Sequence, residues 1–430
     1  MLDRFFRLSA RGTTVATELR AGLVTFLTMS YILFVNPQIL GAAGMPVADV
    51  AVATALAAAI GTAVMALLAD LPIALAPGMG LNAYFTYGVV IGMGVPWEMA
   101  LAAVFVEGLL FLLLVAVGAR EALVRAIPLP IKVATMCGIG LFLAIIGLEG
   151  AGLVVAHPAT LVTLGDLTAP APLLAAAGVV LIGVLLARRI QGAIFLGIAA
   201  VTAAAWAFGL APGPEAVLSL PRLPEETFLA LDFSAILTLG FLPIVAAFLF
   251  VDFFDTAGTL LGVGRLAGLT DEEGNLPRAG RAFTADAVGT TAGALLGTST
   301  VTSYVESGTG IEEGGRTGLT ALTVSFLFLL ALFVTPLLAA VPVAATAPAL
   351  VVVGAMMMAG ARDLDWSLPA DALPAFVTIV AMPFTYSIAN GIAFGILTWV
   401  AIRLAAGRWR EIHPLMAGLA VVLAIYYALA

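Results

Sequence analysis

Long apolar windows recur from one end of this chain to the other, broken only by short polar stretches. A helix needs a run of about 20 apolar residues to cross a bilayer core, so the pattern predicts an all-α polytopic membrane protein. About fourteen transmembrane segments are expected, at residues 20–40, 50–69, 71–90, 98–118, 128–149, 171–187, 191–210, 236–262, 283–297, 298–315, 317–340, 345–361, 371–388 and 390–406. Segments 71–90 and 298–315 stand apart, because they are rich in Gly, Pro, Ser, Thr and Asn and make poor helices. A further apolar stretch, 413–430, is expected to form a membrane-embedded accessory helix.

Charge supports this pattern. Of 430 residues, 62% are hydrophobic and only 10% are charged, against about 25% charged in a soluble domain. With the N-terminus in the cytoplasm and the segments alternating, Arg4, Arg7, Arg11, Arg20, Arg120, Arg125, Lys132, Arg188, Arg189, Arg265, Arg278, Arg281, Arg316, Arg362, Arg403, Arg408 and Arg410 fall on the cytoplasmic side. Only Arg222 of the 18 basic residues falls outside, the asymmetry that orients a multi-pass protein. The basic start leads into a span rather than a small-residue cleavage site, so no cleavable signal is expected. The loop between Arg265 and Arg281, with Asp271, Glu272 and Glu273, reads as a solvated cytoplasmic connection. Cys137 is the single cysteine, which excludes an internal disulfide. The two histidines, His157 and His413, lie in predicted loops, and there is no zinc-type cluster or P-loop lysine pattern. ATP-driven transport by this chain alone is therefore not expected.

The chain also carries weak self-similarity. Leu81–Gly88 aligns with Val301–Gly308, and Gly192–Ile198 with Gly391–Ile396. Both offsets are near half the chain, which gives seven segments per half. An odd number per repeat makes the second copy enter from the opposite side, a 7+7 inverted repeat of the kind secondary transporters use. Thr298–Val305, rich in β-branched and aromatic residues, favours an extended run. Ala76–Gly80, with Pro77, Gly78 and Gly80, breaks a helix. Non-helical backbone survives in lipid only when buried in protein or lining a cavity. Two short extended segments are therefore expected to meet at the midplane, each followed by a half-helix whose N-terminal N–H groups face a ligand.

Acids in this apolar setting are the candidate chemistry. An ionisable side chain at the bilayer centre costs ~2.5–3.5 kcal/mol on insertion scales, so Asp252, Asp255 and Glu306 are functional candidates. Asp255 lies mid-segment and Glu306 directly follows the extended run. A carboxylate suits a planar ligand with adjacent N–H donors. Burial and a neighbouring acid both favour its neutral form, so one of this pair suits proton uptake and release. Asp252, one turn before Asp255, is expected to carry the coupling proton, to orient a neighbour or to be structural. Asn82 is expected to be a ligand or to organise the site. Tyr84 and Tyr304, aligned by the repeat, could sandwich an aromatic ring. Glu107 and Asp286 are also intramembrane acids, with roles left open between packing and support of the site. No Lys or Arg occurs in residues 237–264 or 282–313, which argues against an anionic substrate.

At these residues the chain resembles the AzgA-like purine permeases, a branch of the nucleobase–cation symporter 2 (nucleobase–ascorbate transporter) superfamily. The resemblance rests on Ala21–Pro37, Ala76–Phe85, Phe250–Thr256, Thr298–Ser307 and Glu312–Gly318. It implies a core domain from segments 1–4 and 8–11 (residues 18–118 and 236–340) and a gate domain from segments 5–7 and 12–14 (residues 128–211 and 345–406). It implies proton-coupled uptake of adenine, guanine or hypoxanthine across the bacterial inner membrane, by homodimers, in an elevator-like cycle. The family's two acidic substrate ligands map onto Asp255 and Glu306, and its third-segment Asn onto Asn82. Its extended segments map near Ala83, Tyr84 and Phe85 and near Ser303, Tyr304 and Val305, whose backbone would contact the base. Some uracil carriers of the superfamily have a His one turn after the first acid; Thr259 stands there, which leaves Asp255, Glu306 and Asp252 for the proton. The expected partners are a purine nucleobase, a proton, the lipid bilayer and a second copy of the chain, with no nucleic acid and no cofactor. An anion carrier of the same fold and a xanthine or uracil carrier are the rivals. A channel or an intramembrane enzyme is the rival from another class, and the chain lacks a nucleophile–base pair or metal cluster for it.

Overall fold

The structure, a computed structural model, describes residues 2–118, 128–214, 216–234, 236, 241–270, 276 and 278–429. The expectations placed on Arg120, Arg125 and Asp271–Glu273 fall outside the described residues.

The first half runs α1 (Val15–Met29), α2 (Ile32–Ala42), α3 (Val47–Val64), β1 (Leu75–Pro77), α4 (Met79–Ala83), α5 (Trp97–Ala116), α6 (Leu129–Gly150), the strands β2 (Val154–His157) and β3 (Leu161–Leu164), α7 (Pro170–Ala187) and α8 (Ala193–Ala207). The second half runs α9 (Phe241–Leu266), α10 (Ala279–Leu296), β4 (Val301–Ser303), α11 (Ser307–Glu312), α12 (Gly318–Ala331), α13 (Val343–Met358), α14 (Pro369–Thr385), α15 (Ile388–Ala405) and α16 (Pro414–Leu429). Among the described residues nine helical stretches are long and apolar enough to cross a membrane, and four shorter helices are also apolar. The stretch expected as an accessory helix is α16, which packs on α15 through Met416 and Ala420 against Ile396 and Trp399. The β2–β3 hairpin was not expected; its strand residues are mostly exposed.

The helices pack in two groups. α1–α5 and α9–α12 pack among themselves, and α6–α8 with α13–α16 form the second set. The groups meet where α2 touches α13, α1 touches α8, and α4 touches α6.

The expected segments 71–90 and 298–315 are where helix gives way to strand. β1 and β4 pair antiparallel, Leu75 with Ser303, Ala76 with Thr302 and Pro77 with Val301. The ladder extends by Gly78 N–H donating to the Thr300 carbonyl (2.9 Å) and Tyr304 N–H to the Ala74 carbonyl (2.9 Å). Pro77 has no N–H to give, which a ladder tolerates only at such ends. Each strand is locked from behind by one threonine. The Thr62 hydroxyl accepts from Leu75 N–H (2.9 Å) and donates to the Leu75 carbonyl (2.9 Å). Thr290 does the same for Val301, at 3.1 and 2.8 Å. The two strands of the pair are thus held by matching threonine contacts.

This pairing corrects the repeat register. The pair matches Leu75–Pro77 to Val301–Ser303, where the sequence alignment sets Leu81–Ala83 against Val301–Ser303. Carried forward, Glu306 corresponds to Gly80 and Tyr304 to Gly78, so Tyr84 and Tyr304 are not counterparts. It also corrects the extended run assigned to Ala83–Phe85. The chain turns helical at Met79, passes through Ala83 and continues as π-helical turns over Tyr84–Ile91. Backbone N–H groups there are committed to helical bonds, so that stretch cannot offer an extended edge.

Helices α3 and α10 cross beneath the strands at Gly61 and Gly289. A Cβ on Gly289 would lie 2.9 Å from Val301 Cγ1 and 3.2 Å from the Gly61 Cα. Gly289→Val is expected to wedge the helices apart and cost about 1–3 kcal/mol by overpacking, read as a lower melting temperature in detergent. An unchanged melting temperature would refute this close-approach argument.

Candidate functional site

The strand pair sets one wall of a cavity of about 80 Å³ lined by Tyr31, Met79, Gly80, Met136, Asp255, Thr259, Thr302–Glu306, Val353 and Met357. The lining draws on both helix groups: Met136 comes from α6, and Val353 and Met357 from α13. A flat bicyclic ligand needs more room, and the three methionines are the side chains best able to yield it, being unbranched and flexible.

Asp255 and Glu306 both face this cavity. Glu306 is 8% exposed, and its Oε1 accepts from the Tyr31 hydroxyl at 2.7 Å. Tyr31 stands at the break between α1 and α2, which lets its ring leave the helical path. Asp255 Oδ2 accepts from the Thr302 hydroxyl at 3.4 Å. Thr302 in turn pairs with Thr256 at 2.8 Å, one residue along α9. No Lys, Arg or His lines the cavity. Gly80 is required here: a Cβ would stand 2.7 Å from Ile139 Cγ2.

Ser303, Tyr304 and Val305 line the cavity; Tyr84 and Phe85 do not, nor does Ala83. Tyr84 is buried, with its ring edge-on to Phe248 at 4.9 Å. Tyr304 donates its hydroxyl to the Pro77 carbonyl at 2.5 Å and so spans the two strands. The aromatic sandwich expected from the repeat is therefore not formed, because the strand register places the two rings differently.

Asn82 lies behind the cavity. Fully buried, it donates from Nδ2 to Asn36 Oδ1 at 3.0 Å. Asn36 donates to Thr54 Oγ1 (2.7 Å) and Thr298 Oγ1 (2.8 Å). The amides tie α2, α3 and α4 to the approach to β4, the organising alternative for Asn82. Asp252 points away from the cavity, toward Glu107 and Asp286. Asp286 Oδ1 accepts from Ser303 Oγ at 3.4 Å. Among the described residues no three acids, histidines or cysteines are placed to hold a metal ion.

Four residues here escaped sequence reasoning. Tyr31 and Asn36 lie in an ordinary-looking apolar first segment. Glu18, fully buried, and Asp70, a non-glycine at φ 54, anchor the ends of helices. Asp70 takes Arg11 at 2.7 Å and Arg278 at 3.1 Å and accepts Gly318 N–H at 3.0 Å. For Asn36, Glu18 and Asp70 the available signal was an acid or amide in an apolar stretch; Tyr31 offered none.

A broken first helix, two short antiparallel strands and a cavity between two helix groups define a membrane permease. The chain belongs to the permease family whose family model matches residues 16–394, the nucleobase–cation symporter 2 family. It is 44% identical over 437 residues to the guanine/hypoxanthine permease PbuG of Bacillus subtilis, covering 99% of both chains. It is 42% identical over 414 residues to the adenine permease AdeP of Escherichia coli, covering 96% of this chain and 93% of that one. The transmembrane domain of the cyanobacterial bicarbonate transporter BicA superposes with a TM-score of 0.67 at 18% identity, over 87% of this chain and 97% of that one. That likeness speaks to the fold alone. The protein is a multi-pass membrane transporter and not an enzyme.

Proposed function

We propose that this protein imports purine nucleobases (adenine, guanine or hypoxanthine) with protons across the bacterial inner membrane, its N-terminus in the cytoplasm. The observation that carries the reading is the pair Asp255 and Glu306 on one small cavity without a cation. Two carboxylates accept the N–H groups on the edge of a purine by charge-assisted hydrogen bonds. Ser303 and Val305 would present backbone to the same ring, and Tyr304 its face. The names of the adenine and guanine/hypoxanthine permeases to which the chain is similar support the purine class.

The fold is read as fourteen segments in a 7+7 inverted repeat. The packing of α1–α5 with α9–α12, and of α6–α8 with α13–α16, supports a core and a gate domain. The cavity lies where the two meet, so sliding of the core against the gate would carry the ligand across, in a homodimer. An anion carrier is the second reading, favoured only by fold likeness; two acids and no base on the cavity weigh against it.

Uptake of radiolabelled adenine, guanine and hypoxanthine by a transport-deficient bacterium expressing the chain tests this. Saturable uptake of at least one purine, abolished by a protonophore and indifferent to sodium, is expected. Sodium-dependent uptake insensitive to the protonophore would sink the proton claim, and no purine uptake would sink the whole reading.

A further inference from the structure

Behind β4, on the side away from the cavity, three more carboxyls meet. Glu107 comes from α5, Asp252 from α9 and Asp286 from α10, and each is 0% exposed. Glu107 and Asp252 are in direct side-chain contact, and Asp286 acts on Asp252 across the group. Both oxygens of Glu107, both of Asp252 and Oδ2 of Asp286 have no hydrogen-bond partner. The Thr300 hydroxyl, itself fully buried and unpartnered, lies against Glu107. The charged groups that act on Asp252 are Asp286, Glu107 and Asp255, all acids; those that act on Asp286 are Glu107 and Asp255.

Carboxylates without donors and without cations are not a stable buried arrangement. A metal ion does not resolve it, since among the described residues no such group is placed to hold one. A protonated carboxyl does, because it gains an O–H donor for its neighbour. Phe111, Phe253 and Phe283, from the same three helices, pack together with ring centroids 5.4–5.9 Å apart. The polar connection from the group runs to the cavity. Ser303 Oγ joins Asp286 at 3.4 Å, and the Thr256 hydroxyl lies beside Asp286. Thr256 meets Thr302 at 2.8 Å, and Thr302 meets Asp255 at 3.4 Å.

We propose that Glu107, Asp252 and Asp286 form the proton store of the transport cycle, linked to the substrate cavity by the hydroxyls of Thr256 and Thr302. This rests on the reading of the chain as a proton-coupled permease and deepens it. When a nucleobase claims the Asp255 carboxylate, the proton leaves Asp255 for the Thr302 oxygen. Thr302 passes its own proton to Thr256, and Thr256 passes its own to a carboxylate of the triad. Both hydroxyls are regenerated, one proton has moved from Asp255 to the triad, and no bond to carbon changes. Asp255 then holds the base as an anion while the charge stays inside the moving core.

The test uses full-length protein in proteoliposomes with radiolabelled hypoxanthine. Two readouts separate coupling from binding: accumulation driven by an inward proton gradient, and exchange with no gradient. With one proton per base, about one pH unit sustains roughly tenfold accumulation. Glu107→Gln and Asp286→Asn are expected to lose that accumulation and only equilibrate, while exchange stays within roughly threefold of wild type. Variants that still accumulate roughly tenfold overturn the proposal. So do folded variants that lose hypoxanthine binding and exchange together, since the acids would then serve the substrate site. If an acid variant fails to fold, Thr256→Val, which breaks the hydroxyl link and keeps every carboxyl, decides by the same two readouts. Wild-type protein that moves no nucleobase sinks the transport reading, not the store. The infrared band of a buried neutral carboxyl, expected in wild type at neutral pH and weakened by Glu107→Gln, then decides, and its absence in wild type overturns the store.

Discussion

Glu306→Gln is expected to raise the KM for the transported purine by roughly 10- to 150-fold while the protein still folds and reaches the membrane. The magnitude follows from the bond it removes. A hydrogen bond to a charged group contributes about 1.5–3 kcal/mol, and each 1.4 kcal/mol is about tenfold in affinity. Glutamine keeps the length of the side chain and can still meet the Tyr31 hydroxyl, which now donates to Glu306 Oε1 at 2.7 Å. What it loses is the second anionic acceptor, because the amide turns an N–H toward the N–H of the purine. Asp255→Asn should fall in the same range, and its loss should couple to that of Glu306, since both acids line one cavity. Tyr31→Phe removes only the support of Glu306, so about 1 kcal/mol and roughly fivefold in KM is expected. Concentration-dependent uptake in the three variants, with membrane abundance measured alongside, is the check. A KM for Glu306→Gln equal to that of wild type would remove Glu306 from the binding site.

How far the site could be read from the chain differs residue by residue. Asp255 and Glu306 were legible because a charge in an apolar window has few bland explanations. The break at Ala76–Gly80 and the extended run before Glu306 were legible because proline, glycine and β-branched residues act locally. The register between the halves was not. It is set by Thr62 and Thr290 reaching back to Leu75 and Val301, pairings that leave no local trace. An eight-residue match with one coinciding tyrosine was enough to mislead, and it placed Tyr84 in the site when its ring belongs with Phe248. Direction was equally hidden. Asp252 and Asp255 lie one turn apart on α9, yet one looks into the core and the other into the cavity. Only the positions of α5 and α10 separate them. Tyr31 and Asn36 carry no charge and sit in an apolar helix, so their role emerges only with the partners that come from elsewhere in the chain.

Glu18→Ala is expected to cost about 3 kcal/mol and to lower the melting temperature in detergent by roughly 3–4 °C, with little change in the KM of the protein that remains folded. Glu18 is buried as completely as Glu107, yet its surroundings are the opposite. Its Oε1 accepts from Arg316 N–H at 2.9 Å. Its Oε2 accepts from Thr317 N–H (3.2 Å), Thr317 Oγ1 (2.8 Å), Thr320 N–H (3.2 Å) and Thr320 Oγ1 (2.6 Å). These donors surround the start of α12, where helical N–H groups have no partner within the helix, and an acid there also answers the helix dipole. Alanine would strand several of them in a dry interior at about 1–3 kcal/mol each before relaxation. Glutamine should recover part of the loss, because its carbonyl can still accept. The comparison gives each buried acid a distinct signature. Glu18 is satisfied by five donors and holds helices together. Glu306 has one donor and faces a cavity, so it has capacity left for a ligand. Glu107 has only the Thr300 hydroxyl beside it and otherwise faces acids, so a proton is what completes it. A Glu18→Ala protein that melts like wild type would break that ordering at its firmest member, since among the described residues Glu18 is the fully buried acid with five donors.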